Sequence, residues 1–134
     1  MNLTITAHGT PAPKGSLRHV GHGRLVEQVK GSKPWREIVA AAAIRAAHDA
    51  SWTTTYLPLS VAITVTVLRP KSAPKRQYPT TRSSGDIDKH TRNILDALVD
   101  AAVIGDDSQV ISLAVLKVHG DVAGARIDVT EVTS

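Results

Sequence analysis

The chain of 134 residues has no cysteine and no phenylalanine, and its only aromatic residues are Trp35, Trp52, Tyr56 and Tyr78. Without cysteine there is no disulfide framework, no thiolate nucleophile and no Cys-ligated zinc. With so few rings the core must be aliphatic, and the composition argues against a sheet that stacks RNA bases on aromatic side chains. Also missing is any apolar run near the roughly 18 residues of a membrane span. The opening segment MNLTITAHGTPAPK lacks the basic-then-apolar order of a signal peptide. These absences point to a cytoplasmic protein folding as one domain over residues 1–134, with no membrane partner. No repeat with a period of 20–50 residues is visible.

What is present is an uneven distribution of charge. The net charge is +4, but residues 1–85 hold 12 Lys/Arg against 3 Asp/Glu, whereas residues 86–134 hold 4 against 9. A basic half favours a polyanionic partner. The acidic half is threaded with apolar residues, so it is not a solvated tail.

Periodicity predicts the elements. Residues 2–7 (NLTITA) alternate and read as a strand. Residues 8–18, with two Pro and two Gly, form a loop that carries Lys14 and Arg18. Residues 19–28 read as a small hairpin turning at Gly21–Gly23. A helix follows over 33–50, with Ser32 as its cap and Trp35, Ile38, Val39 and Ala42 on one face. Leu59, Val61, Ile63, Val65 and Val67 repeat at period two within a strand over 57–69. Residues 70–85 form a long basic loop with Lys71, Lys75, Arg76, Arg82 and no acid. A second helix spans about 88–102, with Asp88, Arg92 and Asp96 stacked on one face, and Asp96 and Asp100 read as solvated or paired with Arg92 rather than catalytic. After a turn at 105–108, residues 109–118 read as a strand buried on both faces. Residues 125–132 make a last strand, paired with it as an antiparallel hairpin. The expected fold is α+β: a mixed sheet of about four strands carrying two helices, with the long basic loop between a strand and the second helix.

The chemistry concentrates in residues 85–110, GDIDKHTRNILDALVDAAVIGDDSQV. Asp86 and Asp88 stand two apart at the start of a helix, and Asp106 and Asp107 fill the next turn. An Asp pair in that position also serves as an ordinary cap and dipole partner, and GDDS is a good turn. Clustered carboxylates without thiols suit Mg²⁺ or Mn²⁺, which bridge protein carboxylates and phosphates. Such ions activate water and offset charge on a phosphodiester under attack. Packing between element ends, or a partner subunit, has to bring Asp107 towards Asp86 and Asp88. Two lookalikes fail. Thr91 stands where an EF-hand loop needs glycine, and TTRSSG is not the hydrophobic strand that precedes a phosphatase-type Asp-x-Asp. His90 draws attention only because it neighbours the Asp pair.

The string G-D-I-D-K-x-x-R-N-I-L-D-A-L, followed by G-D-D-S-Q-V, resembles the RusA-type Holliday junction resolvases (crossover junction endodeoxyribonucleases). The strand running into GTPAPKGSLR fits the same pattern. The resemblance implies a homodimeric, Mg²⁺-dependent endonuclease, Mn²⁺ being an alternative ion, with no small-molecule cofactor. It would nick opposed strands of four-way DNA junctions in recombination and repair, and its origin would be bacterial or phage. By position, Asp86, Asp88 and Asp107 match the family's metal-binding carboxylates, and Asp106 the acidic neighbour. Asp96 matches a structural aspartate. Arg92 stands where the family often has a lysine, and an arginine there can bind phosphate but does not readily give up a proton. Arg92 or Lys89 would steady the charge on the attacked phosphate, with Asp86, Asp88, Asp107 and Arg92 forming the catalytic set. Lys14, Arg18, Lys71, Lys75, Arg76, Arg82 and Lys89 are the candidate DNA contacts. The alternatives are a non-catalytic basic DNA-binding module and a related nuclease that prefers other branched DNA.

Overall fold

The computed structural model describes residues 1–15, 17–19, 25–27, 31–72 and 78–133. The elements are β1 (Asn2–His8), β2 (Leu17–His19), β3 (Leu25–Glu27), α1 (Ser32–Asp49), β4 (Leu59–Leu68), α2 (Ile87–Asp100), β5 (Val110–Gly120) and β6 (Gly124–Glu131). Strands β2 and β3 pair antiparallel, as the expected hairpin requires, although its turn at 21–23 lies outside the described residues. The other four strands form a mixed sheet in the order β1-β6-β4-β5. The fold is therefore α+β with two long helices.

One face of this sheet is the core. Leu3 and Ile5 lie opposite Val129 and Ile127, which in turn lie opposite Val61 and Ile63. All six are buried, because residues paired in register point to the same side. Each such aliphatic side chain contributes about 1.5–3 kcal/mol on burial. The opposite face carries Thr4, Thr6, Thr64, Arg126 and Asp128 and remains open to solvent. Both helices therefore cover one side, α1 over β1 and α2 towards β5. The sheet is tight at its β1–β6 edge, where a Cβ on Gly124 would come within 2.2 Å of the Ala7 carbonyl oxygen.

Five expectations need correction. Strands β5 and β6 do not form a hairpin. Strand β6 lies between β1 and β4, and β5 pairs in parallel with the far side of β4. The evenly alternating β4 can pack on both of its edges, so it takes the position between them. Nor is β5 buried on both faces. As an edge strand it leaves Ile111, Leu113 and Leu116 exposed, with the register slipping near its start. Helix α1 is capped by Gly31 in the left-handed region (φ 92°), and Ser32 is already its first, buried residue. On that helix Val39 and Ala43 are buried whereas Ile38 is exposed, a rotation of one position. Finally, Asp96 pairs with Lys14 rather than with Arg92.

Parallel strands need a crossover, and here α2 supplies it between β4 and β5. The helix must return against the strand direction. Its N-terminus thus lies beside the C-terminal part of β5, where Lys117 reaches Gly85. Its C-terminus lies near the start of β4, where Ile104 bridges Thr55. This places the two aspartate pairs at opposite ends of the crossover.

Candidate active site

Asp86 occupies the N-cap position of α2 with extended backbone (φ −77°, ψ 139°), yet its side chain makes no capping hydrogen bond. Its carboxylate is exposed and lies 3.7 Å from the Lys89 ammonium, a weak solvated pair. Asp88, in the first turn, is also exposed. The capping role that would account for this pair without function is thus not taken by Asp86. Both residues line an open cavity of about 590 Å³, together with Tyr78, Arg82, Leu116 and Lys117. A hollow of about 660 Å³ between β1 and α1 carries no comparable acidic pair.

The loop leading into α2 is held firmly. Gly85 has φ 85°, and a Cβ there would fall 2.5 Å from His90 Nε2, so this position suits glycine alone. His90 is fully buried, and its Nε2 lies 2.6 Å from the Ser84 carbonyl. A carbonyl only accepts, so Nε2 carries the proton. Burial pushes the His90 pKa below its ordinary 6.5, and the Lys117 charge adds to this, against opposing effects of the Ser84 bond and Asp86. Lys117 Nζ donates to Ser84 Oγ at 2.9 Å and to the Gly85 carbonyl at 2.6 Å. One turn further along α2, the buried Asn93 donates to the carbonyls of Ala12 (2.9 Å) and Ser32 (3.1 Å) and accepts from Arg36 (2.8 Å). It locks the N-terminal loop, α1 and α2 together.

The second aspartate pair divides its labour. Asp106 caps the short 3-10 turn Asp107–Gln109 by accepting from Ser108 N at 3.1 Å. Hydrogen bonds from Ser108 hold its carboxyl below the usual aspartate range. Gln109 completes the box by accepting from the Asp106 and Gly105 amides, both at 2.8 Å, and it donates to the carbonyls of Thr55 and Leu57. Asp107 is exposed and takes no part in the box. It borders a separate cavity of about 440 Å³ with Lys14, Arg36, Asp96 and Asp100.

The sequence candidates therefore fall into groups. Asp86, Asp88, Lys89 and Arg82 lie together, and the exposed Arg92 follows Asp88 by one turn of α2. Asp106 and Asp107 follow the C-terminus of this helix, and Asp107 borders a cavity with Asp96 and Asp100 rather than the one lined by Asp86 and Asp88. Among the described residues, no three His, Cys, Asp or Glu side chains converge on one point to hold a metal. Lys14 spends its charge on Asp96, and its amide bonds the Lys89 carbonyl at 3.0 Å. Lys71 is exposed. Arg18 lies in β2, while Lys75 and Arg76 lie outside the described residues. Sequence reading missed His90, Asn93 and Lys117 as structural determinants. The available signal was polarity at core positions: His90 and Asn93 on the apolar side of α2, and Lys117 in phase with Leu113 and Val115.

The architecture defines a small α+β domain that presents an uncapped carboxylate pair beside cationic side chains, an arrangement suited to divalent ions and phosphate. The family model for endodeoxyribonuclease RusA matches residues 8–130, and the chain belongs to that family. A search of curated proteins finds no match. The chain is thus an endodeoxyribonuclease by family. Nucleases of this family depend on a divalent metal. No helix among the described residues is long and apolar enough to cross a membrane.

Proposed function

We propose that the protein is a homodimeric, Mg²⁺-dependent nuclease that resolves four-way DNA junctions by paired nicks. The observation that carries this reading is the exposed, uncapped Asp86 carboxylate beside Asp88, at a cavity bordered by Arg82 and Lys117. Two carboxylates together with substrate phosphate oxygens make a fitting donor set for Mg²⁺ or Mn²⁺. Such an ion, when bound, polarises water and offsets phosphate charge. The chain's own residues do the rest. Arg82, Lys89 and Arg92 hold the phosphate backbone, and the buried packing of α2 keeps the aspartates in place. Lys71, Lys75, Arg76 and Arg18 extend the grip along the DNA arms.

Asp107 joins the site from a second copy. In one chain it borders a different cavity from Asp86 and Asp88, whereas a two-fold mate can bring its own Asp107 to theirs. The outer edge of β5, with exposed Ile111, Leu113 and Leu116, offers such a mate a surface. The test is cleavage of a labelled four-way junction with and without Mg²⁺. The wild type should nick opposed strands only with the ion, and Asp88→Asn should bind the junction without nicking it. Binding with no metal-dependent cleavage by the wild type would leave a DNA-binding module. Faster cleavage of flaps than of four-way junctions would leave a nuclease for other branched DNA.

A further inference from the structure

We infer that Lys117 is a positioning residue for the Asp86–Asp88 carboxylates, an inference that rests on those two residues holding the divalent cation. Lys117 lies opposite Val65 in the β4–β5 register, on the sheet face where Val65 is fully buried. A lysine on that face loses hydration and needs acceptors in return. It finds two, Ser84 Oγ and the Gly85 carbonyl. His90 holds the preceding carbonyl, that of Ser84, from the other side of the turn. Successive carbonyls just before Asp86 are therefore tied to two different elements, Gly85 to β5 and Ser84 to α2. Pro13 closes the third side, 2.9 Å from where a Gly85 Cβ would be.

This clamp has a specific consequence. Asp86 is not restrained by its own side chain, since it makes no capping bond. Its direction follows from the backbone that carries it, and Lys117 sets that backbone. Ser84 in turn is fixed by donating to Thr81 O at 2.6 Å, with Pro79 O at 3.1 Å. Without Lys117 the Ser84–Asp86 segment loses its link to the sheet, while Asn93 and the buried face of α2 still hold the helix. The carboxylates remain present but are less well aligned, so the defect appears as a weaker grip on the cation rather than as loss of DNA binding.

The experiment compares wild type, Lys117→Met, Lys117→Arg and Asp88→Asn. Amide hydrogen exchange is followed over residues 82–90 in the metal-free protein, and junction nicking is titrated with Mn²⁺. For Lys117→Met the expected results are exchange about tenfold faster over 84–88, and half-saturating Mn²⁺ raised about tenfold, the scale of one lost charged hydrogen bond. The maximal nicking rate and the junction affinity in Ca²⁺ should stay within about threefold of wild type, and Lys117→Arg should recover most of the Mn²⁺ response. Should Lys117→Met fold poorly, Lys117→Gln, which keeps an N–H donor of similar length, takes its place. Local exchange and a Mn²⁺ titration that both match wild type overturn the proposal, as does a lowered urea midpoint with an unmoved Mn²⁺ titration. If Asp88→Asn also titrates as wild type, it is the metal role of the acidic pair that has failed.

Discussion

The separation of Asp107 from the Asp86–Asp88 pair makes a prediction that two dead proteins can show. Helix α2 has 14 residues and places about 21 Å between its ends. Oxygen ligands of a divalent ion stand about 2.0–2.6 Å from it, and within one chain Asp107 borders a different cavity from Asp86 and Asp88, so the three do not meet on one ion there. Two copies can, each lending Asp107 to the other. Asp88→Asn and Asp107→Asn are each expected to be inactive alone. Mixed dimers are different, because both lesions then fall in one site and leave the other intact. With random pairing half the dimers are mixed and each holds one live site of two, so about a quarter of the wild-type sites should return. The assay is a supercoiled plasmid extruding a cruciform, with the two variants carried on different tags and purified together. One live site makes one nick, so nicked circles should accumulate with little linear product, whereas wild type linearises the plasmid by paired cuts. Mixed dimers as inactive as the parents would show that Asp107 serves its own chain, and would refute the reasoning from the two separate cavities.

Two further predictions concern the scaffold. Asn93→Ala removes the donor to the Ala12 and Ser32 carbonyls and the acceptor for Arg36. It should cost about 2 kcal/mol of stability, read as a lower urea midpoint at unchanged slope. His90 is neutral in the fold because burial lowers its pKa from 6.5. In the unfolded chain it takes up a proton as the pH falls through 6.5, whereas the folded chain does not yet do so. Stability should therefore hold above that pH and decline below it. The urea midpoint of the wild type should fall more between about pH 7.5 and about pH 5.5 than that of His90→Gln, and parallel curves would show that His90 is not the group responsible.

Several of these properties are written locally and were legible in the chain itself. Period-two alternation in Leu59–Val67 can be satisfied only by a strand with one apolar face, and the structure buries Leu59, Val61, Ile63 and Val65. The apolar spacing of Ile94 and Leu98 fixes the side of α2 that packs inward. The aspartate pattern of residues 86–107 was enough to suggest the family. Asp86 and Asp106 both precede a helical turn, yet only Asp106 closes a box, because Gln109 stands three residues after it whereas Lys89 stands three after Asp86; the fold adds that Gln109 also reaches Thr55 and Leu57. Sheet order, by contrast, was hidden from local sequence. The preference of β6 for a place between β1 and β4 depends on the summed packing of three strands, and a hairpin of β5 with β6 satisfies the same alternation. The pairing of Lys14 with Asp96 arises only in the fold. Lys117 gains its acceptor at Gly85 only when the crossover brings the two together. Backbone periodicity acts over a few residues and is visible in one dimension. Hydrogen bonds and ion pairs between distant segments exist only once the chain is packed, and here they select which of the many charged residues remain free to act.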